Sequence, residues 1–208
     1  MKKLLPLLLF ILPFKSSKAQ RQITIGDCTV TYSITGSDAS INSNLAGATK
    51  TLYIKGKMAR IEITGTNYKQ SVIYDNEKGT AVILKEVGAE KYMSTFNAAE
   101  WKKENRQFEG LAVTLTNETK TILGYECKKA IAHLKDGSSY NIYYATAIIP
   151  SASENPYQFK DIPGFILQYE TFGNKNSSRI TYTATLINFN PVPASRFEVP
   201  SSGYRVLK

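Results

Sequence analysis

The sequence predicts a mainly β protein: one large antiparallel sheet with a single helix packed against it. Three observations carry this reading. Short runs of alternating apolar and polar residues, rich in Val, Ile, Thr and Tyr, occupy nearly all of the chain after residue 27, and a period of two is the mark of a half-buried strand. Turn residues separate these runs at short intervals. One stretch alone carries the start signals of a helix.

In chain order, residues 28–35 (CTVTYSIT) alternate and are β-branched, whereas 36–47 are Ser-, Asn-, Gly- and Ala-rich without a period and read as a loop. TLYIK and MARIEIT flank Gly56 as a hairpin, and SVIYD and TAVILKEV flank the turn Asn76-Glu77-Lys78-Gly79 as a second one. The helix comes next. Asn97 can cap it, Glu100 stands three residues on, and Phe96 and Trp101 occupy the two positions of a hydrophobic staple. Helix formers continue through AAEWKKENRQF to a stop at Gly110, so Trp101 and Phe108, seven apart, are expected on one buried face. Further hairpins are expected about Asp136-Gly137 and about 173–178. In 179–188, Ile180, Tyr182, Ala184 and Leu186 should point one way and Thr181, Thr183 and Thr185 the other. A sheet built of roughly ten such runs must curl, close or be covered. No solenoid repeat or low-complexity linker divides the chain, which reads as one domain over 20–208.

Residues 1–19 read as a signal peptide: Lys2 and Lys3, an eleven-residue apolar run from Leu4 to Phe14, then small residues at Ser17 and Ala19. The run is far short of the ~20 residues that cross a bilayer. Export and release to the periplasm or the medium are therefore expected, with no transmembrane segment in the mature chain. Removing the four leader lysines leaves 22 basic against 17 acidic residues, a scattered net +5 that gives no nucleic-acid surface. In an oxidising compartment Cys28 and Cys127 are either a disulfide or two buried thiols, and both alternatives stand at the level of sequence.

Catalytic signatures do not assemble. His133 is the single histidine and reads as an exposed strand residue, with no nucleophile and orienting group beside it. One histidine and two distant cysteines do not make a zinc set. The acids fall at strand ends and turns, and no phosphate-cradling glycine loop or calcium loop is present. The expectation is a non-enzyme without cofactor or metal. Tyrosine is abundant, at thirteen residues. It suits either the filling of a sheet or the amphipathic lining of a pocket for an apolar guest. In the second reading Trp101 and Phe108 line the pocket from the helix, and Tyr144, Tyr169 and Tyr182 line it from the strands.

The segment NPYQFKDIPGFILQYE, residues 155–170, cannot begin as a central strand, because Pro156 and Pro163 each remove a backbone donor. It reads as a stiff crossing that delivers FILQYE into the sheet, with Tyr157, Phe159 and Phe165 too apolar to face water and added to the pocket lining. The run Pro156-Tyr157-x-Phe159-x-x-x-Pro163-Gly164-Phe165-Ile166-Leu167 resembles the signature of the GLPGLI family of secreted Bacteroidetes proteins. Asp161 replaces the first glycine of that name, and Ile162 and Phe165 its two leucines. Ile122-Leu123-Gly124-Tyr125-Glu126-Cys127-Lys128-Lys129-Ala130 and Phe197-Glu198-Val199-Pro200-x-x-Gly203-Tyr204 resemble the same group. The resemblance implies a fold similar to the lipoprotein-localisation factors (LolA/LolB-like), a curved antiparallel half-barrel with a helix on its concave face over an apolar cavity, and it assigns no catalytic residue. Three functional readings are open: a carrier of a lipid, acyl chain or other hydrophobic ligand; an envelope interaction module with a filled core; and a hydrolase with an unrecognised site.

Overall fold

The computed structural model describes residues 22–172 and 178–207; the signal-peptide reading and the tip of the 173–178 hairpin lie outside the described residues. In chain order the strands are β1 (Ile23–Ile25), β2 (Asp27–Gly36), β3 (Thr49–Lys55), β4 (Met58–Gly65), β5 (Tyr68–Asp75), β6 (Thr80–Val87), β7 (Glu90–Phe96), β8 (Ala112–Ile122), β9 (Tyr125–His133), β10 (Ser139–Ala145), β11 (Ile148–Pro150), β12 (Phe165–Phe172), β13 (Arg179–Asn188) and β14 (Arg205–Leu207). Helix α1 spans Ala39–Asn44 and α2 spans Ala98–Glu104. Twelve strands form one curved, unclosed sheet in the order β14-β7-β6-β5-β4-β3-β2-β13-β12-β10-β9-β8, while β1 and β11 pair separately in parallel. Every neighbour in the large sheet is antiparallel except β14 on β7.

Alternation sets the two faces. Cys28, Val30, Tyr32 and Ile34 of β2, then Leu52 and Ile54 of β3, point to the inner, concave side and are buried. The expected pattern of β13 holds only to Ala184. A register shift between Ala184 and Leu186 inserts one residue, which turns Leu186 out to 60% exposure and brings Ile187 against the core. A bulge of this kind adds local twist and reverses the phase of the strand beyond it.

The hairpins about Gly56 and Asn76–Gly79 form as expected. The loop reading of 36–47 is corrected, because α1 lies within it. The Asp38 side chain accepts from Ile41 N at 2.9 Å, and Asn42 bonds both polar groups of Gly36, so local capping supplies what an amphipathic period does not. Helix α2 starts with the anticipated capping box: Asn97 Oδ1 accepts from the Ala99 and Glu100 amides, and Asn97 N donates to Glu100 Oε2. The rings of Phe96 and Trp101 lie 5.6 Å apart. The helix ends sooner than expected. Asn105 folds its side-chain amide back onto Trp101 O, and a 3-10 turn, Arg106–Phe108, comes after it. Trp101 and Phe108 therefore do not share one helical face. Trp101 packs with Tyr74 and Ala81, and Phe108 packs with Leu111 and its neighbours.

Residues 151–164 form a strap across the end of the concave face. It is stitched down at several points. Ser151 Oγ donates to Gly56 O at 2.6 Å, and Ser153 exchanges two 3.0 Å bonds with the Asn76 side chain. Asn155 Nδ2 donates to Asn105 Oδ1 at the end of α2, and Tyr140 of β10 donates to Gln158 O. Within the strap, Asn155 Oδ1 accepts from the Tyr157 and Gln158 amides, an Asx-type turn that starts the reversal. Asp161 has a φ of 61°, in the left-handed region that glycine adopts without steric penalty. This is the position where the resembling motif carries its first glycine.

Candidate functional site

Three hollows lie around the strap. The first is a groove of about 600 Å³ whose floor is Tyr32, Leu52, Ile54 and Phe165, with Phe159 and Ala152 on its strap side and Lys57, Asn76 and Glu77 among its polar residues. The second, about 590 Å³, lies between the end of α2 and β10–β12, with Phe108, Tyr140 and Phe172 among amides and Asp136. The third is a chamber of about 140 Å³ under the strap, bounded by Lys50, Gln70, Val72, Trp101, Glu154 and Tyr169. Glu154 lines both the groove and the chamber.

A charged pair sits between groove and chamber. Lys50 alternates in phase with Leu52 and Ile54, so its stem enters the core and only 1% of the residue is exposed. Its ammonium donates to Glu154 Oε2 and, at 2.7 Å, to the Tyr169 hydroxyl. The rings of Tyr32 and Tyr169 lie 4.6 Å from Nζ and that of Tyr182 lies 5.4 Å away, a cation–π enclosure that offsets part of the lost hydration. Burial pushes the Lys50 pKa below its ordinary value, and the Glu154 carboxylate opposes that shift. Burial, then the charge of Glu154, holds the Tyr169 hydroxyl well above its ordinary pKa, so it remains a proton donor. Trp101 lines the chamber, and its buried indole N–H finds no acceptor among the described residues.

The residues expected to line a pocket are divided among these hollows and the core. Phe159 and Phe165 face the groove, Phe108 the second hollow, and Trp101 and Tyr169 the chamber. Tyr144 fills the core beside Phe159. Tyr157 packs against the Trp101 cluster, and Tyr182 stacks on Tyr169 at 4.8 Å. His133 is exposed, with a ring nitrogen 3.1 Å from Thr114 Oγ1. Sequence reasoning missed Lys50 and Glu154. The first had a signal: a lysine in phase with two aliphatic residues on the apolar side of a strand. Glu154, in the polar stretch SASEN, had none.

Cys28 and Cys127 are free, fully buried thiols, which corrects the disulfide alternative. They lie on β2 and β9 and belong to one buried cluster with Val30, Ala145 and Phe165. Burial is the main cause that raises Cys28 to about 12 and Cys127 to about 11, from 9.0. A pKa raised on folding means that the unfolded chain loses its thiol protons first. The associated stability is whole below pH 9 and is lost as pH rises through about 11 to 12. The native protein should accordingly leave Ellman's reagent unreacted at pH 8, and two thiols per chain should appear on unfolding without reductant. Fewer than two would restore the disulfide.

No family model and no curated protein matches this sequence, so the GLPGLI resemblance rests on its motif residues alone. Among solved structures the chain is similar to PNGF-II, at a TM-score of 0.43 and 14% identity over 86% of this chain and 30% of that one. It is similar to MucB at 0.42 and 12% over 89% and 60%; MucB is also seen in a MucA/MucB complex from Pseudomonas aeruginosa. An outer membrane lipoprotein-sorting protein domain from Vibrio parahaemolyticus aligns at 0.22 and 11% over 83% and 89%. The chain thus spans less than two thirds of PNGF-II and of MucB. None of these likenesses assigns a role to one of its residues.

Proposed function

We propose that this protein is an exported, non-enzymatic binding protein that holds a lipid or another hydrophobic ligand in the groove beneath the strap. The groove itself carries the reading. About 600 Å³ of space falls within the ~300–1,000 Å³ of small-molecule sites, which are mainly apolar with a few polar groups to orient the guest. Tyr32, Leu52, Ile54 and Phe165 supply the apolar floor, and Lys57, Asn76 and Glu77 supply groups for a polar end. The leader-like start of the sequence supports export, where such ligands are met at the envelope.

The neutral apolar dye Nile red, displaced by dodecanol, tests this directly. Wild-type protein should take up the dye with a fluorescence gain. Ser153→Trp, which fills the groove at a half-buried position, should weaken uptake by roughly tenfold, the equivalent of ~1.4 kcal/mol, with circular dichroism unchanged. Equal uptake by both proteins, or none by the wild type, would dismiss the groove as the site.

One observation favours a second reading, an interaction module of the cell envelope. Strand β8 forms a sheet edge and is exposed along most of its length, with Leu115 at 52%, and an open edge can pair with another chain. Capture of a defined envelope protein together with absent dye uptake would select it.

A further inference from the structure

Lys50 and Glu154 come from distant parts of the chain, and their meeting is the least economical feature of the interior. An aliphatic pair would pack there without charge. Glu154 is carried on the strap, while Lys50 belongs to the sheet, and the carboxylate that joins them stands where the groove meets the chamber.

Several donors converge on that point. Lys50 brings three N–H groups and gives one to Glu154 and one to Tyr169. Tyr169 Oη already accepts from Lys50, so its own proton is left to donate. The Trp101 indole N–H on the chamber wall has no acceptor among the described residues. A cation and two neutral donors, walled by Ile61, Ile63 and Val72 together with the amides of Gln70, Asn155 and Gln158, form a receptor suited to a carboxylate, and Glu154 fills it from within the chain.

We infer that the hydrophobic ligand of the groove carries a carboxylate, and that this carboxylate binds Lys50 by displacing Glu154, which acts as a built-in competitor. The inference rests on the groove reading and deepens it to a fatty-acid class of ligand. The tail lies on Tyr32, Leu52, Ile54 and Phe165, and the head reaches the edge of the chamber. Displacement of Glu154 releases the ion pair that ties the strap to β3, so occupancy and strap position are linked.

Two measurements separate this inference from the groove reading. In the first, dodecanoate and dodecanol compete with Nile red on the wild type and on Glu154→Ala. Charge-assisted hydrogen bonds are among the stronger polar contacts, so removal of the competitor should tighten dodecanoate by roughly tenfold or more and leave dodecanol unchanged. Equal changes for acid and alcohol overturn the carboxylate receptor while the groove stands; failure of dodecanol on the wild type removes both. The second needs no groove. Acetate should raise the melting temperature of Glu154→Ala by filling the vacated position, and should do so neither for the wild type nor for Lys50→Met/Glu154→Ala. Absence of that selective shift overturns the receptor. Glu154→Gln keeps the side chain's size and carries the dodecanoate comparison if the alanine variant does not fold.

Discussion

Lys50→Met is expected to destabilise the protein by about 3–5 kcal/mol, the usual loss when one partner of a buried ion pair is removed. Methionine matches the lysine stem and can pack between Tyr32 and Tyr169, so lost volume is a minor part of the effect. The larger part is Glu154, 8% exposed, left without the ammonium that neutralises it. For a chain of this size each kcal/mol lowers the melting temperature by about 2–4 °C, so a fall of roughly 6–20 °C should be read. Lys50→Met/Glu154→Leu should recover most of the loss, since an aliphatic pair needs no charge compensation. Urea unfolding of the two single variants, the double variant and the wild type gives the coupling directly. Lys50→Met within 1 kcal/mol of wild type would mean that water or strap movement already compensates Glu154.

Gly164→Ala is expected to cost about 3 kcal/mol, at the upper end of the range for overpacking. A Cβ at this position would stand 2.3 Å from Ala145 O, 2.7 Å from Tyr144 Cδ2 and 3.1 Å from Ala145 C. Two of these atoms are backbone of β10, and Ala145 pairs with Phe165 where β12 begins. Relief therefore requires separating two paired strands instead of turning a side chain, and close-packed interiors absorb such shifts poorly. Gly26→Ala serves as the control. Its Cβ would meet nothing within 4 Å, and a change of at most ~0.5 kcal/mol is expected. Equal stability of the two variants in urea would show that the strap's entry into the sheet is not pinned at Gly164.

Gly164 shows how far the sequence carries. Proline at 156 and 163 and the alternation of FILQYE were enough to recognise a crossing that becomes a strand, and Phe165, Leu167 and Tyr169 are indeed buried. The capping residues of α2 and the hairpins about Gly56 and Asn76–Gly79 were equally legible, because a cap or a tight turn is decided within a few residues. Helix α1 escaped notice since Asp38 and Asn42 act by side-chain capping, which leaves no apolar period. The phase reversal of β13 escaped for a related reason: one inserted residue at a bulge is invisible to an alternation count.

The binding region was less legible than the fold. Aromatic residues marked the interior correctly in kind, yet only some of them border a hollow, because a tyrosine that packs in the core and one that lines a pocket have the same neighbours in sequence. Lys50 and Glu154 are separated by 104 positions, and their attraction exists only once β3 and the strap have been brought together.

The strand-and-turn character, the capped start of α2, the crossing at 155–164 and the inward rows of the strands, β13 beyond its bulge excepted, belong to the sequence alone. They depend on interactions among residues a few positions apart. The sheet order, the free state of the two cysteines, the division into groove and chamber, and the ion pair between them belong to the tertiary structure. Each of those is set by burial and by contacts between segments distant along the chain, for which local spacing holds no record.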